Sequence, residues 1–324
     1  MRKKVLSVKD FFEANSESLV LEHVNDHIEG PLPITVTDIH RPGLALTGFM
    51  ETFLNERIQI LGETEILFLN TRDPAARKRD VENLFTMPLV CIVVTRDLAI
   101  PAELADACDR HGVPLLKTTM ATTPFIHELT KFLDDYFAPT DIVHGTMVDV
   151  YGVGLLFTGK SGIGKSEIAL DLVERGHRLV ADDSVTVTRK ASDILIARGH
   201  EHLQHFMEIR GIGIIDVQAK FGIRAIRVQK RLEVVVTLGE WDEKKDWERE
   251  GLEERYTEIL GVKIPQVDVP LFPGKNITVI SEVIAMNHMF KVYGYRPADR
   301  FNQLLIDRME SDRRTRHYLR YDTE

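Results

Sequence analysis

Cysteine is nearly absent from this chain. Its 324 residues include two, Cys91 and Cys108, which excludes a disulfide framework and any Cys-x-x-Cys zinc site and makes a reducing cytoplasm the expected location. Long apolar runs are missing too. The strongest, residues 89–94, is far too short to cross a bilayer. The opening Met1-Arg-Lys-Lys-Val-Leu-Ser-Val-Lys9 has the charge of a signal peptide, but its apolar run breaks at Lys9, so neither secretion nor a membrane is expected. Positive charge is not in excess: the net charge of −9 argues against nucleic acid or an anionic membrane as partner of the whole chain. Familiar site patterns also fail. Gln204 stands where His-Glu-x-x-His needs a second histidine, and Glu167 stands where a Gly-x-Gly-x-x-Gly starting at Gly162 needs its third glycine. The nearest approach to a GTPase Asn-Lys-x-Asp, Asn70-Thr-Arg-Asp73, lies upstream of the glycine loop and lacks the lysine. What remains, 44% hydrophobic and 28% charged, is an ordinary soluble composition with length for about two domains.

The stretch that organises the chain is Gly159-Lys160-Ser161-Gly162-Ile163-Gly164-Lys165-Ser166. It fits G-x-x-x-x-G-K-[ST] and has the flanks that motif requires, a strand-like Leu155-Leu156-Phe157 before it and a helix-like segment after it that Gly176 stops. Glycines let successive backbone N–H groups turn toward one point, where the positive end of the helix dipole also aims, so a polyphosphate belongs there. Lys165 would reach its outer phosphates and the Ser166 hydroxyl would ligate Mg²⁺. After the helix, Arg178-Leu-Val-Ala ends in Asp182-Asp183. A carboxylate at a strand end beside the nucleotide holds Mg²⁺ or receives a proton.

Before the loop, helix-like and strand-like stretches alternate. Residues 5–21, 73–84, 101–111 and 125–137 read as helices. Residues 35–37, 58–61, 65–69, 89–94 and 115–116 read as strands, the α/β rhythm of a small sheet covered by helices. Lone histidines here (His23, His27, His40, His111) read as surface or packing residues. The 125–137 helix runs into Ala138-Pro139-Thr140, which joins an N-terminal α/β domain, 1–133, to a second domain, 134–324. From His144 to Gly152 the alternation suggests a strand turning directly into the strand before the glycine loop, which would put His144 near the phosphates if the two pair. Met207-Glu208-Ile-Arg-Gly-Ile-Gly-Ile-Ile-Asp216 mixes charges and glycines into an apolar run, as a bulged edge strand does. His202 and His205 stand at helical spacing, a minor metal possibility. Residues 220–240 look β-like, 241–258 a solvated helix or loop, 265–276 an irregular proline loop, 277–280 a strand, and 282–293 and 297–309 helices. Phe301, Leu304, Leu305 and Arg308 share one side of the last helix, which therefore packs on something.

With these residues set out, the chain closely resembles the bacterial HPr kinase/phosphorylase family over nearly its whole length. The resemblance lies in His40-Arg-Pro-Gly-Leu-Ala-Leu-Thr-Gly48, Arg57-Ile-Gln-Ile-Leu-Gly62, the glycine loop, the double aspartate and above all Glu208-Ile-Arg-Gly-Ile-Gly-Ile-Ile-Asp216. It implies an α/β fold: an N-terminal α/β domain plus a P-loop kinase domain resembling the phosphoenolpyruvate carboxykinase-like core. It implies an ATP-dependent kinase acting on a serine of HPr, the small phosphocarrier protein of sugar uptake, and a phosphorylase that uses inorganic phosphate to release pyrophosphate. By position it implies ATP phosphates on residues 159–166, Mg²⁺ on Ser166 and Glu208, and Asp183 as proton acceptor in one direction and donor in the other. His144, Lys165 and Arg249 join the catalytic group. It also implies a homohexamer in which the C-terminal helix touches a neighbour. Where the family has Pro-Gly-Arg-Asn in a loop needed for dephosphorylation, this chain has Pro273-Gly274-Lys275-Asn276, and lysine lacks the planar fork that grips a phosphate bidentately. The rival reading is a P-loop small-molecule kinase or carboxykinase relative, against which the Glu208 to Asp216 motif argues.

Overall fold

The computed structural model describes residues 4–190, 193–200, 205–241, 254–272, 274–295 and 299–310. The chain forms two compact units, Met1–Ala138 and Pro139–Glu324. In the first, the elements run α1 (Val8–Asn15), β1 (Leu21–His23), β2 (Ile39–His40), α2 (Gly43–Leu46), β3 (Ile58–Leu61), α3 (Glu63–Thr71), α4 (Pro74–Glu82), β4 (Ile92–Val94), α5 (Ala102–His111), β5 (Leu115–Thr118) and α6 (Thr122–Phe137). The sheet order is β1-β5-β4-β3-β2, parallel except for the antiparallel edge strand β1. One face packs Leu61 and Val94 with Leu69 and Leu104; the other packs Ile60 and Val93 with Phe11 and Phe125.

Three expectations in this unit are corrected. Residues 65–69 are helical, part of α3, because the buried Glu65 carboxylate accepts the Gly62 N–H at 2.9 Å and Arg41 at 2.9 Å, fixing a helix start. A short apolar run does not by itself distinguish a covered helix from a strand. The first helix starts at Val8 behind the Ser7 cap and ends at Asn15, whose buried side chain donates to the Phe11 carbonyl at 2.9 Å, and residues 16–21 are turn and the start of β1. The strand expected at 35–37 lies at 39–40.

The second unit runs β6 (Thr140–His144), β7 (Thr146–Val150), β8 (Val153–Thr158), α7 (Lys165–Glu174), β9 (Arg178–Ala181), β10 (Ser184–Lys190), β11 (Ile194–Arg198), β12 (Phe206–Ile209), β13 (Gly213–Asp216), α8 (Val217–Phe221), β14 (Gln229–Arg231), β15 (Val234–Glu240), β16 (Arg255–Ile259), β17 (Val262–Leu271) and α9 (Ile277–Val292). Its main sheet has the order β16-β17-β15-β8-β7-β9. One face is covered by α7, α9 and the two-stranded β12–β13 hairpin, with Phe157, Leu172, Met207, Ile215 and Ala285 in one core. The other face packs Met147, Leu156 and Val235 against Val185, Val187 and Leu195 of the antiparallel sheet β14-β11-β10-β6.

Here too the chain departs from its expected elements. Residues 262–271 form the ten-residue strand β17, whose prolines hid it: Pro265 sits opposite Tyr256 of the edge strand β16, and Pro270 is one residue from the strand's end. Residues 277–280 open α9, because the Asn276 side chain accepts the Val279 N–H at 3.1 Å and caps it. Residues 255–258 lie in strand β16, and 217–221 are helical behind the Asp216 cap. The segment 206–216 is a true hairpin of two strands, with Glu208 opposite Ile214.

Candidate functional site

Direction in the main sheet decides where the site lies. Strands β8, β15 and β17 are parallel, and β9 runs the same way because both β8 and β9 are antiparallel to β7. Their carboxyl ends deliver residues 159–164, Asp182-Asp183, Trp241 and, after β17, Phe272 and Lys275 to one edge, the place where open α/β sheets bind ligands. The glycine loop spans β8 and α7, and Lys165 Nζ donates to the carbonyls of Gly159 and Lys160 at 3.2 Å each.

Gly162 has φ +78° and faces the guanidinium of Arg210, so a Cβ there would lie 2.2 Å from Nη1. Arg210 also donates from Nη2 to the Ser161 hydroxyl at 3.5 Å. The hairpin carrying Arg210 and Glu208 is thus laid against the loop by its inward side chains Met207, Ile209 and Ile215.

Below the loop lies a polar knot that sequence reasoning left open. One oxygen of Asp182 accepts from Ser166 Oγ at 3.0 Å and from Thr146 Oγ1 at 2.6 Å. Backbone N–H groups of Glu208 and Asp183 also point to this carboxylate. Burial pushes the Asp182 carboxyl above its usual range, against the pull of those hydrogen bonds. Asp182, not Asp183, is therefore the acid that touches Ser166.

Asp183 is turned away from that knot. Its φ is +61°, and the Ser184 N–H reaches back to the Asp182 carbonyl at 2.7 Å, so the chain bends sharply between the two acids. Asp183 ends up exposed, and its carbonyl accepts the Gly145 N–H at 3.1 Å. His144 is the register partner of Ser184 in the β6–β10 ladder, which brings an exposed His144 beside Asp183. The route differs from the expected one, since β7 pairs with β8 while His144 belongs to β6 in the second sheet. The chain passes between sheets at Gly145, where a Cβ would lie 2.5 Å from the Phe157 carbonyl oxygen.

On the far side of the loop, the Trp241 ring meets Phe272 edge-on at 5.4 Å, and the Trp241 N–H donates to the Leu271 carbonyl at 3.1 Å. Lys275 Nζ donates to the Pro270 carbonyl at 3.1 Å and lies over the Phe272 ring, and burial lowers its pKa. Arg249, Pro273 and His202 lie outside the described residues. Among the described residues no three His, Cys, Asp or Glu side chains form a metal cluster. The oxygen donors Ser166 and Asp182 suit Mg²⁺, a hard cation that keeps waters and phosphate oxygens for most of its ligands. Behind the site, Glu282 of α9, 6% exposed, accepts Arg175 Nε and Nη2 at 2.8 and 2.7 Å and faces His177 Nε2 at 3.1 Å, tying α9 to the end of α7. Thr146 and Glu282 gave no signal in the sequence, because each matters through a partner far away in the chain, and Arg210 stood out only as a charge within an apolar run, with nothing to say that its partner is the glycine loop.

Two family models match, the HPr Serine kinase N terminus over residues 6–133 and the HPr Serine kinase C-terminal domain over residues 135–305. The HPr kinase/phosphorylase of Chloroherpeton thalassium is 50% identical over 305 residues, 94% of this chain and 90% of the relative. That of Prosthecochloris aestuarii is 51% identical over 306 residues with the same shares. A solved HPr(Ser) kinase/phosphatase from Coxiella burnetii, 32% identical, covers 50% of this chain and 98% of its own with a TM-score of 0.45. Matched in both halves and half identical to these relatives across nearly its whole length, the chain belongs to the HPr kinase/phosphorylase family.

Proposed function

We propose that the chain transfers the γ-phosphoryl of ATP to a serine of HPr and, with inorganic phosphate, removes it again, thereby regulating carbohydrate uptake. The observation that carries this reading is the separation of two adjacent carboxylates at one sheet edge: Asp182 bonded to Ser166 under the glycine loop, Asp183 exposed beside His144. In the kinase direction Asp183 takes the proton of the serine hydroxyl, its oxygen forms the new bond to phosphorus, and the bond to ADP breaks. In reverse an oxygen of inorganic phosphate attacks the phosphoserine phosphorus, the bond to serine breaks, and protonated Asp183 returns the proton as pyrophosphate forms.

Residues 159–166 hold the phosphates through backbone N–H groups, with Lys165 and Arg210 as their cations, and Arg249 joins the catalytic group by position in the family. Ser166, Asp182 and Glu208 are the residues that would hold Mg²⁺, which when bound supplies charge neutralisation on the transferring phosphoryl. Exposed His144 stands where it can contact the incoming serine or its phosphate. The P-loop unit would share its core arrangement with phosphoenolpyruvate carboxykinase. The protein would be a cytoplasmic homohexamer, a reading supported by the helical segment 299–310, which exposes Phe301, Leu304, Leu305 and Met309. No helix among the described residues is long and apolar enough to cross a membrane.

The test is transfer of labelled γ-phosphate from Mg·ATP to purified HPr, followed by a phosphate chase. Serine labelling that reverses with pyrophosphate release is expected. ATP binding without HPr labelling would overturn the reading in favour of a small-molecule kinase, and labelling that resists the chase would show that Lys275 does not serve the reverse reaction.

A further inference from the structure

The carboxylate under the glycine loop is gripped from two sides. Thr146, the first residue of β7, is fully buried, and its hydroxyl donates to the same Asp182 oxygen that accepts Ser166 Oγ, at 2.6 Å against 3.0 Å. Thr146 shares its face of the sheet with Val148 and Val150, which enter the core that holds Phe157 and Leu172. Packing there asks for an apolar side chain. A hydroxyl in that position costs stability unless it is hydrogen-bonded, and the bond it makes is to Asp182. Gly145, immediately before it, gives its N–H to the Asp183 carbonyl at 3.1 Å. Two consecutive residues therefore hold the two halves of the turn between the acids, Gly145 by the backbone of Asp183 and Thr146 by the side chain of Asp182.

We propose that Thr146 is a positioning residue for the cation: it fixes Asp182, and through Asp182 it aims Ser166 Oγ. The inference rests on the reading above in which Ser166 and Asp182 hold Mg²⁺. A serine hydroxyl has one proton and two lone pairs. Ser166 gives the proton to Asp182, which leaves its lone pairs for a cation on the side away from that carboxylate. This orientation lasts only while the acceptor stays in place. Ser166 does not hold it alone, because its hydroxyl turns freely and the Asp182 side chain has two rotatable bonds of its own. Thr146 supplies the fixed point: its backbone is locked in the ladder opposite Phe157 of β8, and its branched side chain is stiff at χ1. The bonds from Thr146 to Asp182 and from Ser166 to Asp182 thus carry the rigidity of the sheet to the group that meets the metal, as partners behind a metal ligand do. An apolar residue at 146 would leave the layers of the fold intact and the ligand loose.

Thr146→Val keeps the shape and removes the hydroxyl, Thr146→Ala removes the hydroxyl and the methyl, and Thr146→Ser keeps the hydroxyl. In the full chain, ADP binding is measured by calorimetry with and without Mg²⁺, alongside urea titrations that establish that each variant is folded. Mg²⁺ is expected to tighten ADP binding to the wild type. Thr146→Val and Thr146→Ala should each lose about tenfold of that gain, with the affinity for metal-free ADP unchanged. Thr146→Ser should retain it. In an Asp182→Ala background Thr146→Val should change nothing further, since the hydroxyl acts through that carboxylate. A hydroxyl-free variant with the wild-type gain, a Thr146→Ser protein as impaired as Thr146→Val, or an equal loss for metal-free ADP would overturn the inference. ADP binding to the wild type that Mg²⁺ does not tighten would instead remove the reading of Ser166 and Asp182 on which it rests.

Discussion

Gly162→Ala probes whether the arginine of the hairpin and the glycine loop act as one unit. A Cβ at this position would stand 2.2 Å from Arg210 Nη1, 2.7 Å from Cζ and 2.9 Å from Nη2. The backbone would also hold alanine at φ +78°, which costs about 1–2 kcal/mol. The collision is with the far end of an exposed, flexible side chain and not with the core, so Arg210 swings aside and the stability loss stays near that backbone cost. Activity should fall much further. If the guanidinium neutralises charge on the transferring phosphoryl, losing it costs about 10²- to 10³-fold in kcat. Arg210→Ala should show the same activity loss at an unchanged urea midpoint. The double variant should then be no slower than Arg210→Ala alone, because the glycine substitution has nothing left to displace. Steady-state transfer from ATP to HPr and urea titrations on all four proteins complete the cycle. Arg210→Ala at the wild-type rate, or losses that multiply in the double variant, would refute the reasoning.

The two aspartates should separate by phenotype. Asp183→Asn should lower transfer in both directions by about 10²- to 10⁴-fold with Mg·ATP affinity retained, measured by turnover and calorimetry. Asp182→Asn should weaken Mg²⁺ dependence at least about tenfold. Because burial raises the Asp182 pKa, the ionised carboxylate works against the fold at neutral pH, so the metal-free Asp182→Asn protein should unfold at an equal or higher urea concentration. Glu282 behaves oppositely: Arg175 hydrogen bonds hold its carboxyl at about 2, below its ordinary 4.5. Its contribution is present in full above about pH 4.5 and is lost as pH falls toward 2. Glu282→Gln should therefore lower the urea midpoint at pH 7, and the gap to wild type should narrow between pH 5 and pH 3; a gap independent of pH would mean that charge is not what Glu282 supplies.

Much of the site's frame was legible in residues close together in the chain. The glycine loop needs a strand before it and a helix after it, and β8 and α7 stand at those places. Segments whose local signals compete were not legible. Residues 265–271 carry two prolines yet form a strand, because parallel pairing with β15 outweighs the turn chemistry that prolines suggest. Residues 277–280 look β-branched yet start a helix, because Asn276 caps it and α9 covers the sheet. The encounters that build the chemistry were less legible still. His144 pairs with Ser184, the neighbour of Asp183, through a strand register spanning 40 residues, Thr146 meets Asp182 across 36, and Arg210 meets Ser161 across 49.

The double aspartate shows why such a site resists reading by spacing alone. Two carboxylates joined by one peptide bond in a regular strand would face opposite sides of a sheet and have little chance of serving one reaction. Here a left-handed Asp183 and the 2.7 Å closure from Ser184 to Asp182 break the alternation at the end of β9. One acid goes under the loop, where hydroxyls and N–H groups meet it and burial raises its pKa; the other stays in solvent beside His144. Environment thus gives the two acids different chemistry, as it must if one is to hold a cation and the other to exchange a proton. The strain at Asp183 is the structural cost of that division. Because the separation depends on backbone and not on side-chain identity, Asp-Asp in a sequence carries the functional pair only where the chain turns between them.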